Sequence, residues 1–317
     1  MFRFDKEQKV FNIGNIKVGG QPGENPPLLI ASLFQKGDRL LIDRKGPQFD
    51  KDKAKEYILR QEELTSQTGI PGLIAMVANS VDEMKAYIDF FIEITDMPFA
   101  IDIWVSKIRL ASARYAASLG LQDRLLYNGI TPWDKDIPEQ IAELKELGIK
   151  HVVLQAFDDK DQTPRGRITS LRRLLDLVGD ANFKTILVDT SVMNLPAITF
   201  SLIANYLIKE EFGLPAGCAT SNGTYMWKQA REVWGKDGFA AMDAAAHGIS
   251  ALLWSDFLFY GPLVSAKRIF PAVATAHIML STLVYDETGW VSEDSSLPIN
   301  RFYADFVEKM KEGGARD

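Results

Sequence analysis

Asp102, Asn128, Asp189 and Asn222 stand at or just past the ends of four apolar, strand-like runs: Ile101-Asp102, Leu126-Tyr127-Asn128, Leu187-Val188-Asp189, and the stretch from Gly217 to Asn222. Carboxylates accept hydrogen bonds, whereas carboxamides both donate and accept. Two of each suit the edge of an amide-rich, pyrimidinone-like ring. A sheltered carboxylate without a partner is costly, so a bound heterocycle carrying N–H groups supplies what the protein leaves out. Asp158, just beyond the run His151 to Phe157, belongs to the same series by position. Any one of these residues also suits a helix cap or a loop turn. Their recurrence at successive strand ends is what favours one shared site, because parallel α/β folds assemble sites in that way.

No strong nucleophile accompanies them. Cys218 has no neighbouring base in sequence and reads as a small inert apolar residue. His151, His247 and His277 are far apart, in strand or helix segments, and read as core or surface residues rather than metal ligands. Arg165 and Arg167 after the fifth run could bind an anionic tail or could be solvated loop charge. Lys107 and Arg109, early in a helical segment, allow the same two readings. Trp227 and Trp234, seven apart, read as helix packing.

The elements that position these residues alternate. Eight runs read as strands: Leu28 to Phe34, Leu73 to Val77, Phe99 to Ile103, Arg124 to Tyr127, His151 to Phe157, Thr185 to Val188, Leu214 to Gly217 and Phe257 to Tyr260. Amphipathic helical segments follow them, at intervals of about 25 to 40 residues: Lys51 to Ser66, Val81 to Ile94, Ser106 to Leu119, Pro138 to Leu147, Ile168 to Val178, Pro196 to Glu211, Lys236 to Ser250 and Ala266 to Leu283. Asp50 is the expected N-cap of the first and Gly69 its stop. Eight βα units without a linker predict an α/β fold of the closed (β/α)8 TIM-barrel type. An open doubly wound sheet is the competitor, weakened because no G-x-G-x-x-G follows the first run. Val10 to Ile13 and Ile16 to Val18, joined by Gly14-Asn15, predict a short β-hairpin before the barrel. The expected organisation is one barrel domain with its hairpin over residues 1–297, then a C-terminal helix and tail over 298–317.

The chain has 317 residues, 46% hydrophobic and 25% charged, enough for a large core without staples. A net charge of -6 argues against nucleic acid as a partner. One cysteine rules out an intrachain disulfide framework and fits a reducing compartment. No run reaches the roughly 18 uninterrupted apolar residues of a membrane span, and the charged start has no signal-peptide core. The expectation is a cytoplasmic protein with no direct membrane insertion.

At the same residues the chain resembles the H subunit of tetrahydromethanopterin S-methyltransferase and the related methylcobalamin:tetrahydrofolate methyltransferases. The likeness lies in Met1-Phe2-Arg3-Phe4-Asp5-Lys6-Glu7-Gln8, Gly19-Gly20-Gln21-Pro22-Gly23-Glu24, Arg60-Gln61-Glu62-Glu63-Leu64, Tyr127-Asn128, Gly213-Leu214-Pro215, Tyr260-Gly261-Pro262 and Phe270-Pro271-Ala272-Val273-Ala274. It runs from Met1 to about Ala276. The resemblance implies a barrel that binds a tetrahydropterin (tetrahydrofolate or tetrahydromethanopterin) at its mouth, a cobalamin carried by a partner corrinoid protein, methyl transfer between cobalt and the pterin N5, and a homodimer. It assigns Asp102, Asn128, Asp189 and Asn222 to the pterin, with Asn222 near N5. The chain departs from the pattern at Ile103-Trp104, where the family has small hydroxyl residues, and at Ala75, Asp158-Asp159, Met193-Asn194-Leu195-Pro196 and Ser221-Asn222. An indole at Trp104 stacks on a ring or fills its space. Two alternatives follow from these departures: a relative without pterin activity that serves as a corrinoid-protein binding or regulatory subunit, and a methyltransferase with an altered acceptor, for which Asp158 and Asp159 favour a more cationic ligand.

Overall fold

The alternation of apolar runs and amphipathic helices closes on itself in the computed structural model, which describes residues 1–42 and 46–313. Eight parallel strands form a barrel: β3 (Leu28–Leu33), β4 (Gly72–Val77), β5 (Phe99–Asp102), β6 (Leu125–Ile130), β7 (His151–Gln155), β8 (Thr185–Asp189), β9 (Ala216–Cys218) and β10 (Phe257–Pro262), with β10 hydrogen-bonded to both β9 and β3. The antiparallel hairpin β1 (Val10–Ile13) and β2 (Ile16–Gly19) precedes it. Helices α1 (Lys51–Thr68), α2 (Val81–Ile94), α3 (Ser106–Ser118), α4 (Ile137–Glu146), α5 (Pro164–Val178), α6 (Ala197–Phe212), α7 (Thr220–Met226), α8 (Gln229–Leu252), α9 (Ala266–Thr288) and α10 (Pro298–Gly313) complete the described chain. The 314–317 part of the expected tail lies outside the described residues.

Local signals explain the boundaries. Asp50 accepts from the backbone N–H of Lys53 at 3.1 Å, and Gly69 closes α1 in the left-handed region at φ 76°, where a side chain would be disfavoured. β9 begins at Ala216 rather than Leu214, because Pro215 has no N–H to give the ladder; its carbonyl still accepts from Val188 at 2.9 Å.

Two apolar layers result from the period-two alternation of strands. Leu29, Ala31, Ile74, Met76, Ile101, Tyr127 and Leu154 belong to the outer core under the helices. Leu28, Ile30, Leu73, Ala75, Ala100, Leu126, Val153, Leu187, Phe257 and Phe259 fill the barrel interior, and Ile13, Ile16 and Val18 of the hairpin join that inner cluster. The hairpin is thus a plug at the amino end of the strands, and the opposite end is left for a site. Among the described residues one stretch, Leu263–Thr288, is long and apolar enough by length and composition to cross a membrane. Its Ile269, Phe270, Val273, Ala276, His277 and Leu280 are buried within this fold. α10 packs back on α9 through Val291, Ile299 and Val307.

Candidate functional site

The parity that turns Ala100, Leu126, Val153 and Leu187 inward also turns inward the residues two positions later: Asp102, Asn128, Gln155 and Asp189. Strand register sets Asp102 beside Asn128 and Gln155 beside Asp189. These four, with Asn222 of α7, line one cleft at the carboxyl end of the barrel, together with Ser32, Trp104, Arg109, Thr131, Trp133, Ser221 and Phe259. The cavity is about 170 Å³. That is below the roughly 300–1,000 Å³ of a drug-sized pocket, so it holds one ring system and leaves the rest of a ligand on the rim.

Electrostatics single out the two acids. Burial pushes the Asp102 carboxyl up to about 6, opposed by the Arg109 guanidinium. Asp189 is also pushed up to about 6, by burial first; the Ser191 N–H and Arg167 oppose the shift, and the charge on Asp102 adds to it. Asp189 accepts from Ser191 N at 2.8 Å. Among the described residues no donor reaches the Asp102 carboxylate, and the carboxamides of Asn128 and Asn222 make no hydrogen bond. Their hydrogen-bonding capacity faces the cleft and is free for a ligand.

Two buried arginines brace this mouth. Arg109, 2% exposed, donates to the Ile103 carbonyl at 2.7 Å and to Asp134 at 2.6 Å. Asp134 in turn accepts from Thr131 N at 3.1 Å. Arg167, fully buried, donates to the carbonyls of Thr190 at 2.6 Å and Ser191 at 3.1 Å, and to Gln162. Neither is the solvated loop charge that position suggests, and Arg167 spends its donors on the backbone after β8 rather than on an anion. Sequence offers one signal for them: an arginine one turn into a helix that follows a strand is long enough to reach back to neighbouring loops.

Asn222 is held differently. α7 is anchored by Thr224, which donates to the fully buried Asp243 of α8 at 2.6 Å, and by Ser221, which donates to the Phe259 carbonyl at 3.1 Å. Arg268 of α9 pairs with the same Asp243 at 2.6 Å. Burial holds His247, also against Asp243, below its usual range.

The structure brings together Asp102, Asn128, Asp189, Asn222 and Trp104, but not Asp158. The Asp158 side chain accepts from Lys160 N at 2.9 Å and lies 3.9 Å from Arg173, away from the cleft. The residue of β7 that faces the cleft is Gln155, whose Nε2 donates to Ser191 Oγ at 3.0 Å. Alternation within the run predicts this, since Val153 and Gln155 share a face and Asp158 lies past the strand. Ala75 is fully buried below the cleft. Trp227 and Trp234 do meet, ring centroids 4.8 Å apart and nearly perpendicular, but not on one helix: Trp227 ends α7 and a non-helical Gly235 kinks α8. Cys218 is fully buried and its thiol is pushed up to about 12 by burial, so it is not a nucleophile.

A closed eight-stranded parallel barrel with free carboxylate and carboxamide groups converging at its carboxyl end defines a (β/α)8 protein with a small polar cleft at the place where such barrels hold their sites. Within that class, the family model of the tetrahydromethanopterin S-methyltransferase MtrH subunit matches residues 6–291. The chain belongs to this family and is a methyltransferase. The H subunit of the tetrahydromethanopterin S-methyltransferase of Methanothermobacter thermautotrophicus is 32% identical over 297 residues, covering 90% of this chain and 95% of that protein. Its counterpart in Methanosarcina barkeri is 31% identical over 316 residues, covering 95% and 99%. Among solved structures, dihydropteroate synthase of Xanthomonas albilineans in complex with 7,8-dihydropteroate matches with a TM-score of 0.54 at 16% identity, over 89% of this chain and 99% of that one. Dihydropteroate synthase of Yersinia pestis matches with a TM-score of 0.56 at 14% identity, over 86% and 100%. At such identities these two likenesses concern the fold.

Proposed function

We propose that the cleft binds the ring of a tetrahydropterin, tetrahydrofolate or tetrahydromethanopterin, and that the chain transfers a methyl group between its N5 and a corrinoid carried by a partner protein. The observation that carries this reading is Asp102: a carboxylate with a raised affinity for protons, no hydrogen-bond donor from the described residues, and Asp189 on the same cleft. A pterin's ring N–H and exocyclic amine supply the missing donors. Asn128 and Gln155 add amide contacts, and Asn222, exposed on α7, is assigned to N5. Family membership supports methyl transfer involving a tetrahydropterin, since the relatives are named as subunits of such a methyltransferase.

The corrinoid, when docked, supplies the cobalt that gives or takes the methyl group. The chain's own share is orientation. Holding two reactants in line is worth roughly 7 to 11 kcal/mol of the barrier, and the braces through Arg109, Arg167 and Asp243 hold the contacting side chains before the ligand arrives. When N5 is the leaving group it must be protonated or hydrogen-bonded, which is the role assigned to Asn222. The reading includes a cytoplasmic homodimer; sedimentation of the purified protein as a monomer would overturn the dimer.

Anaerobic calorimetry with tetrahydrofolate and tetrahydromethanopterin tests the ligand. Binding of either in the micromolar range, about -8 kcal/mol at 1 μM, is expected; no binding of both would reject the pterin. Asp189→Ala and Asn222→Ala are expected to cut methyl transfer at least about tenfold with the fold intact, and full activity in both would reject the site. The second reading, a corrinoid-protein binding subunit without pterin chemistry, draws on Trp104 in the cleft wall. Tight corrinoid-protein association without pterin binding would favour it. The altered-acceptor reading finds no support at Asp158, which lies outside the cleft and 3.9 Å from Arg173.

A further inference from the structure

Trp104 and Trp133 stand on different loops, after β5 and β6, yet their rings stack at 5.5 Å between centroids and 23° between planes. Phe157 meets Trp133 edge-on at 6.5 Å. Both indoles line the cleft that holds Asp102 and Asn128, and both remain exposed, Trp104 at 76% and Trp133 at 39%. Large rings left in water on a cleft wall are not there to fill a core. They are also not held by chance. Arg109 donates to the carbonyls of Ile103 and Trp104 and pairs with Asp134, which accepts from Thr131 N, so one ion pair, 3% and 5% exposed, clamps the two tryptophan-bearing loops together. In the same wall, Thr131 Oγ1 is buried with no partner among the described residues.

We propose that the Trp104–Trp133 shelf is a second binding subsite, taking an arylamine ring tethered to the pterin head. The inference rests on the pterin reading above and deepens it. The cleft has room for one ring system, so whatever is attached to the pterin lies over the rim, and the wall beside Asp102 is this flat aromatic face. A planar ring stacks on an indole, and an amine N–H in the tether satisfies the Thr131 hydroxyl. The parallel arrangement of the two indoles suits a flat ring; a quaternary ammonium is recognised by rings turned toward it as a cage.

The test compares tetrahydropteroate, which carries the aryl ring, with 6-methyltetrahydropterin, which does not, by anaerobic calorimetry on the whole chain. The wild type is expected to bind tetrahydropteroate about tenfold more tightly. Trp104→Ala is expected to abolish most of that gap, weakening tetrahydropteroate far more than 6-methyltetrahydropterin, and Trp104→Phe, which keeps a ring, to restore most of it. Because Trp104 is exposed, an unchanged unfolding temperature will show that the fold is intact. Equal affinities in the wild type, or a loss in Trp104→Ala that is the same for both ligands, would overturn the subsite and leave the pterin reading standing. Failure of the wild type to bind either ligand would overturn both.

Discussion

Burial raises the proton affinity of both Asp102 and Asp189, each part of a cleft in which charge is poorly solvated. An acid raised from 3.8 to about 6 binds its proton more strongly in the folded than in the unfolded chain. The folded state therefore gains protons between about pH 4 and 6, and stability from this group is lost as pH rises through that window. Asn at the same position mimics the neutral acid. Asp102→Asn is thus expected to be more stable than the wild type at pH 7.5, by ~1–2 kcal/mol or a few degrees of melting temperature, with the difference vanishing below about pH 4. Thermal unfolding at both pH values checks this. The same variant should bind a tetrahydropterin about 10- to 100-fold more weakly, the worth of a hydrogen bond to a charged group. Stability gained while binding is lost marks a side chain retained for its ligand; loss of both would recast Asp102 as structural.

At the scale of elements, the seven-residue α7 carries the cleft-lining Asn222 on a segment that local propensity does not favour: Ser221, Asn222 and Gly223 are weak helix formers. Its conformation comes from contacts with three other elements. Thr224 and Arg268 converge on Asp243, Tyr225 reaches Ser265 at 3.2 Å, and Ser221 bonds β10. Removing the shared acceptor leaves Thr224 only the Ser221 carbonyl at 3.2 Å and the partly buried Arg268 only the Tyr225 hydroxyl at 3.1 Å, with no carboxylate to balance its charge, so Asp243→Ala is expected to cost about 3–5 kcal/mol in urea unfolding. Thr224→Val, which removes the hydroxyl shared between Asp243 and the Ser221 carbonyl, should cost about 1 kcal/mol and lower methyl transfer more than it lowers stability. A Thr224→Val protein with unchanged turnover would show that α7 positions nothing. The loops bearing Trp104 and Trp133 follow the same logic, with Arg109 as their clamp.

At the scale of the whole molecule, the barrel has two ends with different tasks. Ile13, fully buried in the hairpin, packs with the interior cluster at the closed end. Ile13→Ala is expected to destabilise the protein by about 2–4 kcal/mol while leaving the affinity of the open end for its ligand unchanged in calorimetry at low temperature. A matching loss of affinity would mean that the hairpin shapes the mouth through the core. The N-terminal segment is tied down around this end as well: Lys9 N donates to the Gly213 carbonyl at 2.8 Å, Gln8 to the Lys209 carbonyl at 2.9 Å, and Lys209 pairs with Asp256 at 2.7 Å.

Sequence by itself determined what is local or periodic. Eight strands alternating with helices, the hairpin turn at Gly14-Asn15, the Asp50 and Gly69 caps and the strand-end positions of Asp102, Asn128 and Asp189 follow from side-chain period, turn chemistry and capping, which need no distant partner. Seven segments spread from Met1 to about Ala276, among them Gly19-Gly20-Gln21-Pro22-Gly23-Glu24 and Tyr260-Gly261-Pro262, marked the family, and the match over residues 6–291 agrees. Tertiary structure decided which polar groups meet. It turned Asp158 toward Arg173 and put Gln155 in the cleft, because strand parity and register, not nearness to a strand end, choose the inward side chains. It made Arg109 and Arg167 buried braces rather than solvated charge, because a guanidinium's value lies in acceptors contributed by loops far away in the chain. It wound α7 and stacked Trp104 on Trp133 for the same reason: those contacts join residues whose proximity exists only once the barrel has closed.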